Sequence, residues 1–278
     1  MTAISPLTKV PAAHNVLKAD GPGLVVAADF SPAGRPTATF TEFAPRLTTP
    51  CTFWETAPPP YGDEVHMTGA EHVARWASDI RASGLQVMGL IGFCTGSLYA
   101  GALAERVAQW QPLPPRLVLL DPEFAPREPL LEHYQRVITN RLASVLTAEE
   151  SAEALSLGAA AYERSRTAMG LTTEITELCR RLVQPALERA GFTARRAAEF
   201  VDLFTSYLHW FSAAAQLDSA HTWAEATAVN SETPGFGLST FTDEQGTGLV
   251  ARSVDVAVAH RELLRSADVA HLVDGLLR

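Results

Sequence analysis

One stretch limits what this chain can become more than any other: Leu85-Gln-Val-Met-Gly-Leu-Ile-Gly-Phe-Cys94-Thr-Gly-Ser-Leu-Tyr-Ala-Gly-Ala-Leu-Ala-Glu-Arg-Val107. Its first half is an apolar run that stops at Gly92. After Cys94 the apolar residues Leu98, Ala102, Leu103 and Val107 fall at helical spacing instead. The pattern predicts a strand that turns sharply into a helix at Cys94. Glycine stands two positions either side of the cysteine, where any side chain would hold strand and helix apart. A helix N-terminus beneath a thiol favours the thiolate and offers backbone N–H groups to a developing oxyanion.

Gly92-Phe93-Cys94-Thr95-Gly96 thus has the G-x-S-x-G form of a nucleophile elbow, with cysteine in place of serine. A short pattern of this kind is also met by a buried cysteine in a glycine-rich turn. What surrounds it therefore carries weight. Leu24–Phe30 reads as an early buried strand running into the turn-forming loop Ser31-Pro-Ala-Gly-Arg-Pro36, and Thr39–Leu47 as a short helix. Pro50–Thr56 is a second strand, with Cys51 a small core residue. Thr68–Ser83 is a helix with Val73, Trp76, Ala77 and Ile80 on one face, and His66 and His72 read as surface residues.

Beyond the elbow, Arg116-Leu-Val-Leu-Leu-Asp121-Pro122 is a strand ending in an aspartate, and open parallel sheets gather reactive groups at such carboxyl ends. A turn aspartate would give the same letters. From 127 to 220 only helical patterns occur: Leu130–Leu146; Thr147–Met169, opening with a Thr147-x-x-Glu150 capping box; Thr172–Ala190, with a kink at Pro185; and Thr193–Leu217. The aromatic stripe of the last (Phe200, Phe204, Tyr207, His209, Trp210, Phe211) reads as packing. His221–Val229 and Leu249–Ala259 read as returning strands, followed by His260 and a final helix, Ser266–Leu277.

At these residues the chain resembles the α/β-hydrolase superfamily, and within it the thioesterases that offload polyketide and nonribosomal-peptide intermediates from carrier proteins. The resemblance implies an α/β-hydrolase fold, a mostly parallel sheet with an inserted helical lid: residues 1–126 and 221–278 as core, 127–220 as lid. It implies a triad in chain order, Cys94 as nucleophile, Asp121 as acid and His260 as base. His260 is preferred to His221, which starts a strand, and to His271, inside the last helix, although Ala259 departs from the Gly or Asp that usually precedes this histidine. Oxyanion donors would come from Thr95 and from Ala33 or Gly34, since Pro32 has no N–H.

The implied activity is transfer of an acyl or peptidyl chain from a carrier-protein thioester onto Cys94, released by hydrolysis or cyclisation. No cofactor is implied beyond the phosphopantetheine that carries the substrate. Two other readings stand beside it. One is a hydrolase resembling dienelactone hydrolase, which shares the G-x-C-x-G elbow but lacks so long an insertion and takes its acid from a later strand. The other is a binding protein on a hydrolase fold without turnover.

Composition agrees with one large α/β domain: 278 residues, 47% of them hydrophobic. A net charge of −9 with no basic run disfavours nucleic-acid binding, and an acidic carrier protein would need a local basic patch. No stretch reaches the roughly 18 apolar residues of a membrane span, and the N-terminus lacks the pattern of a secretion signal. The expectation is a soluble, cytoplasmic protein. Cys51, Cys94 and Cys179 are odd in number and widely spaced, so neither a disulfide framework nor a C-x-x-C metal site is expected.

Overall fold

The computed structural model describes residues 11–30, 38–241 and 248–278. Seven strands form one sheet: β1 (His14–Ala19), β2 (Gly23–Ala28), β3 (Thr52–Thr56), β4 (Gln86–Phe93), β5 (Arg116–Leu120), β6 (Thr227–Asn230) and β7 (Arg252–Asp255). Their order across the sheet is β1-β3-β2-β4-β5-β6-β7, with β1 antiparallel to β3 and every other pairing parallel. This is the α/β-hydrolase fold. The chain builds outward from β2 to β3, then crosses back to β4, so the order reverses between β2 and β4. In open parallel sheets the crevice for ligands lies at that reversal, beyond the carboxyl ends of the strands. Cys94 follows the last residue of β4 directly.

The helices in chain order are α1 (Phe40–Phe43), α2 (Gly69–Ser83), α3 (Gly96–Ala108), α4 (Arg127–Arg136), α5 (Ala148–Arg164), α6 (Ala168–Leu178), α7 (Gln184–Arg189), α8 (Ala194–Ala214) and α9 (Ala267–Leu277). By its contacts the chain forms two compact units, one holding the sheet with Gly69–Phe124 and the chain from Leu217 onward, the other made of Pro59–Thr68 and Ala125–Gln216.

In the sheet unit, alternate residues of adjacent strands (Val25 and Ala27, Ile91 and Phe93, Val118 and Leu120) join Phe53 and Val229 in one apolar cluster. Period-2 alternation places such residues on one face of a sheet. Phe40 and Phe43 of α1 and Val269, Val273 and Leu277 of α9 close over that cluster. Helix α3 lies along β2, β4 and β5 and packs on α2. Fully burying a side chain of this size contributes roughly 1.5–3 kcal/mol, so this cluster is what holds the elbow strand in the middle of the sheet.

The second unit contains helices only, and α4 to α8 pack on one another. Its capping box forms as the letters suggest: Thr147 Oγ1 accepts from the Glu150 N–H at 3.2 Å and Glu150 Oε2 from the Thr147 N–H at 2.9 Å. Tyr207, Trp210 and Phe211 of the aromatic stripe are buried, with Tyr207 donating or accepting at His133 Nε2, 2.9 Å away. Pro185, where a kink is expected, stands in the first turn of α7, directly after a π-helical turn, Cys179–Val183; proline is tolerated at such a position.

Several details differ from the sequence reading. Residues 14–19 form an edge strand that the reading did not include. His221–Val229 is not one strand: Ala220–Glu225 is a 3₁₀ helix and only Thr227–Asn230 pairs. Side chains decide this, because Ser219 Oγ donates to the Leu98 carbonyl (2.6 Å) and Trp223 Nε1 to that of Ser97 (3.2 Å), fastening the segment to α3. Likewise Leu249–Ala259 pairs only over Arg252–Asp255. His72 is not a surface residue but fully buried beside Trp76 and Tyr99, ring centroids 5.4 and 5.9 Å away, while His66 is exposed.

Candidate active site

Cys94 and Asp121 are the two non-glycine residues with positive φ among those described, 54° and 45°. Each follows the last residue of a central parallel strand. A left-handed backbone at a non-glycine residue is costly and persists only where its surroundings hold it. Here they do: the Cys94 N–H donates to the Leu120 carbonyl at 2.9 Å, and the Asp121 N–H to that of Val229 at 2.9 Å. The ladder of the sheet thus extends one residue into both turns.

The two elbow glycines answer to contact distances. A Cβ on Gly92 would stand 2.3 Å from the Ser97 Cα, and one on Gly96 would stand 2.0 Å from the Ala28 carbonyl oxygen. Neither neighbour is a flexible side chain. Strand β4 and helix α3 approach so closely only because both positions lack a side chain, and the cysteine is thereby pushed to the apex of the turn, half-buried.

Asp121 is fully buried. Its Oδ1 accepts from the Ser231 N–H at 2.7 Å and its Oδ2 pairs with His260 Nδ1 at 2.7 Å. Gly237, at φ 63°, keeps room for this: a Cβ there would lie 2.7 Å from Asp121 Oδ1. His260 opens the 3₁₀ helix His260–Arg265, where its N–H donates to Thr233 Oγ1 at 2.9 Å. Its ring stacks on Phe236 (3.8 Å between centroids, 17° between planes) and on Phe93 (4.9 Å, 15°), the residue preceding Cys94. A carboxylate on Nδ1 holds an imidazole with its proton on that nitrogen, leaving Nε2 as the base.

The structure therefore joins Asp121 to His260 and sets both beside the elbow. His221 is elsewhere, exposed and paired with Glu105 at 2.6 Å, and His271 is exposed on α9. Thr95, at the N-cap of α3, is buried. Ala33 and Gly34 lie outside the described residues.

One residue of this site the sequence reading passed over. The Cys94 Sγ donates to Glu123 Oε2 at 2.6 Å. Its signal in the sequence is a second acidic residue close behind the strand-end carboxylate, in Asp121-Pro122-Glu123. The other thiols differ in kind. Burial raises Cys51 and pushes Cys179 up to about 12, so both stay protonated and inert at neutral pH. Among the described residues there is no group of three or more His, Cys, Asp or Glu that could hold a metal ion, and no helix long and apolar enough to cross a membrane.

No protein-family model matches the sequence, and no curated protein does. Solved structures do. The Vlm2 thioesterase domain with 2,3-diaminopropionic acid, bound with a dodecadepsipeptide, is similar over 96% of this chain and 98% of its own, at 17% identity and a TM-score of 0.54. The NocB thioesterase domain from the nocardicin cluster is similar over 96% and 99%, at 17% identity and 0.55. Its covalent complex with a fluorophosphonate nocardicin G analog gives 18% and 0.55, covering 96% of this chain and all of its own. What the chain shares with them at such identities is the fold, over 96% of its length.

Proposed function

We propose that this protein is an acyl-transfer enzyme of the thioesterase type, which takes an acyl or peptidyl chain from the phosphopantetheine thioester of a carrier protein onto Cys94, in polyketide or nonribosomal-peptide biosynthesis. The observation that carries the reading is the strained Cys94 at the apex of a two-glycine elbow, beside a buried Asp121–His260 pair at the end of the next strand. The likeness of fold to thioesterase domains supports it.

In this mechanism His260 Nε2 takes the thiol proton, the sulfur attacks the thioester carbonyl, and the carbon–sulfur bond to phosphopantetheine breaks. Asp121 orients the ring and stabilises the imidazolium. The backbone N–H of Thr95, next to the nucleophile, would face the oxyanion. Because a thioester is exchanged for a thioester, the acyl group keeps its activation, which an oxoester on serine would lose in part. An acceptor then attacks the acyl-enzyme, giving hydrolysis or ring closure.

Incubation with acyl thioesters of N-acetylcysteamine should add the acyl mass to the protein, read by intact-mass spectrometry. Cys94→Ala should abolish the adduct, and His260→Ala should slow it by roughly 10²–10⁴-fold, the usual contribution of a general base. A folded wild type that forms no adduct with any thioester would refute the proposal and favour a binding protein on this fold.

A further inference from the structure

The triad leaves Glu123 unused, yet it is the residue whose carboxylate meets the candidate nucleophile. Three neighbours fix it in place. Asp121 turns the chain through its positive φ, Pro122 is buried, and Phe124 stacks on Trp223 (5.4 Å, 12°) and meets Phe241 edge-on (4.8 Å, 80°). Glu123 itself is half-buried between these anchors, and charge acts more strongly in such a place than in water.

In the resting enzyme the Cys94 thiol donates its hydrogen bond to Glu123 Oε2. Once the sulfur carries an acyl group it has no proton to donate, and the carboxylate remains beside the new thioester. Any acceptor must come within about 3–3.5 Å of the acyl carbon bonded to that sulfur, hence within reach of Glu123. A carboxylate there repels hydroxide and other anions, and it binds N–H donors, above all charged ones, through short, strong hydrogen bonds.

We propose that Glu123 positions an amine as the acceptor at the Cys94 acyl-enzyme, so that the product is an amide rather than a free acid. This rests on the acyl-transfer reading above. The ammonium docks on Glu123 and loses one proton to solvent. The amine nitrogen attacks the acyl carbon and gives a second proton to His260. The carbon–sulfur bond breaks, and the departing Cys94 sulfur takes that proton back from His260 as a thiol. Atoms and charge balance as acyl thioester plus ammonium giving amide, thiol and one proton.

The test uses the full chain and two N-acetylcysteamine thioesters, one a simple acyl group offered with glycinamide, the other an ω-aminoacyl group carrying its own amine. The first arm detects a separate amine acceptor, the second an internal one that closes a lactam. In each, amide and acid are quantified by mass spectrometry, with the adduct on Cys94 followed in parallel. Amide should dominate in at least one arm. Glu123→Gln should lower the amide-to-acid ratio about tenfold or more, the loss expected for one charged hydrogen bond, and Glu123→Asp should restore part of it. With wild type, glycine should be a poorer acceptor than glycinamide per mole of free-base amine, because its own carboxylate meets that of Glu123. This comparison stands even if a variant does not fold.

An adduct that yields only acid in both arms would overturn the proposal. So would a ratio unchanged in Glu123→Gln, equal use of glycine and glycinamide, or loss of the adduct itself in a folded Glu123→Gln. Absence of any adduct in wild type refutes the function instead, which keeps the two failures apart.

Discussion

Gly96→Ala should damage both stability and chemistry, and the structure sets the scale. The new Cβ would be placed 2.0 Å from the Ala28 carbonyl oxygen and 2.8 Å from its carbon. Favourable contact begins near 3.5 Å, so helix α3 and strand β2 must part by about an ångström or more. Ala28 belongs to a central strand paired on both sides and cannot retreat. Overpacking costs about 1–3 kcal/mol where side chains can adjust; here the obstacle is backbone, and about 3 kcal/mol is expected. At 2–4 °C per kcal/mol for a chain of this size, the melting temperature should fall by about 6–12 °C. A shift of about 1 Å at the elbow should also slow acylation of Cys94 by about 10²-fold. Calorimetry and the intact-mass assay measure the two effects. Gly275→Ala is the control: it lies in α9 with nothing within 4 Å of its would-be Cβ, and it should melt at or slightly above the wild-type temperature. A Gly96→Ala protein that melts and acylates like wild type would refute the close approach on which the elbow rests.

Two further outcomes follow. Asp121→Asn replaces an acceptor with an amide whose oxygen is claimed by the Ser231 N–H, so its NH₂ faces His260 Nδ1 and forces the proton onto Nε2; acylation should fall by roughly 10²–10⁴-fold, and an unimpaired rate would remove Asp121 from the mechanism. His72 is held neutral by burial, its pKa lowered from 6.5 to about 4, and neither ring nitrogen has a hydrogen-bond partner. The unfolded chain therefore binds the proton more readily, so this contribution to stability is full above pH 6.5 and is lost as pH falls toward 4. The difference is about 2 kcal/mol at pH 5. Denaturant melts of wild type and His72→Phe at pH 7 and 5 should show a shallower pH dependence in the variant, and parallel curves would refute the assignment.

How much of this was legible beforehand depends on the range of the forces involved. The elbow could be read from letters because its determinants are local: an apolar strand run, a change of period, and two glycines two positions either side of Cys94. The same holds for the Thr147–Glu150 capping box and for the strand that ends at Asp121. The place of His260, after the last strand and before the last helix, came from likeness to a known chain order, and the ring's bond to Asp121 spans 139 positions that no local pattern relates.

Tertiary structure alone decided the rest. The chain from His221 to Glu225 carries strand-like letters, yet hydrogen bonds from Ser219 and Trp223 to the backbone of α3 win over pairing with the sheet. His72 belongs by type to the surface, yet the packing of Trp76 and Tyr99 around it made burial the lower free energy. Above all, Glu123 comes to the sulfur of Cys94 because β4 and β5 pair in parallel, Phe93 against Leu120, bringing the two strand ends side by side. The sequence by itself determined that a thiol would stand strained at a strand's end. Which carboxylate would meet it was settled by strand register, because register sums weak contacts along two whole strands and is written at no single position.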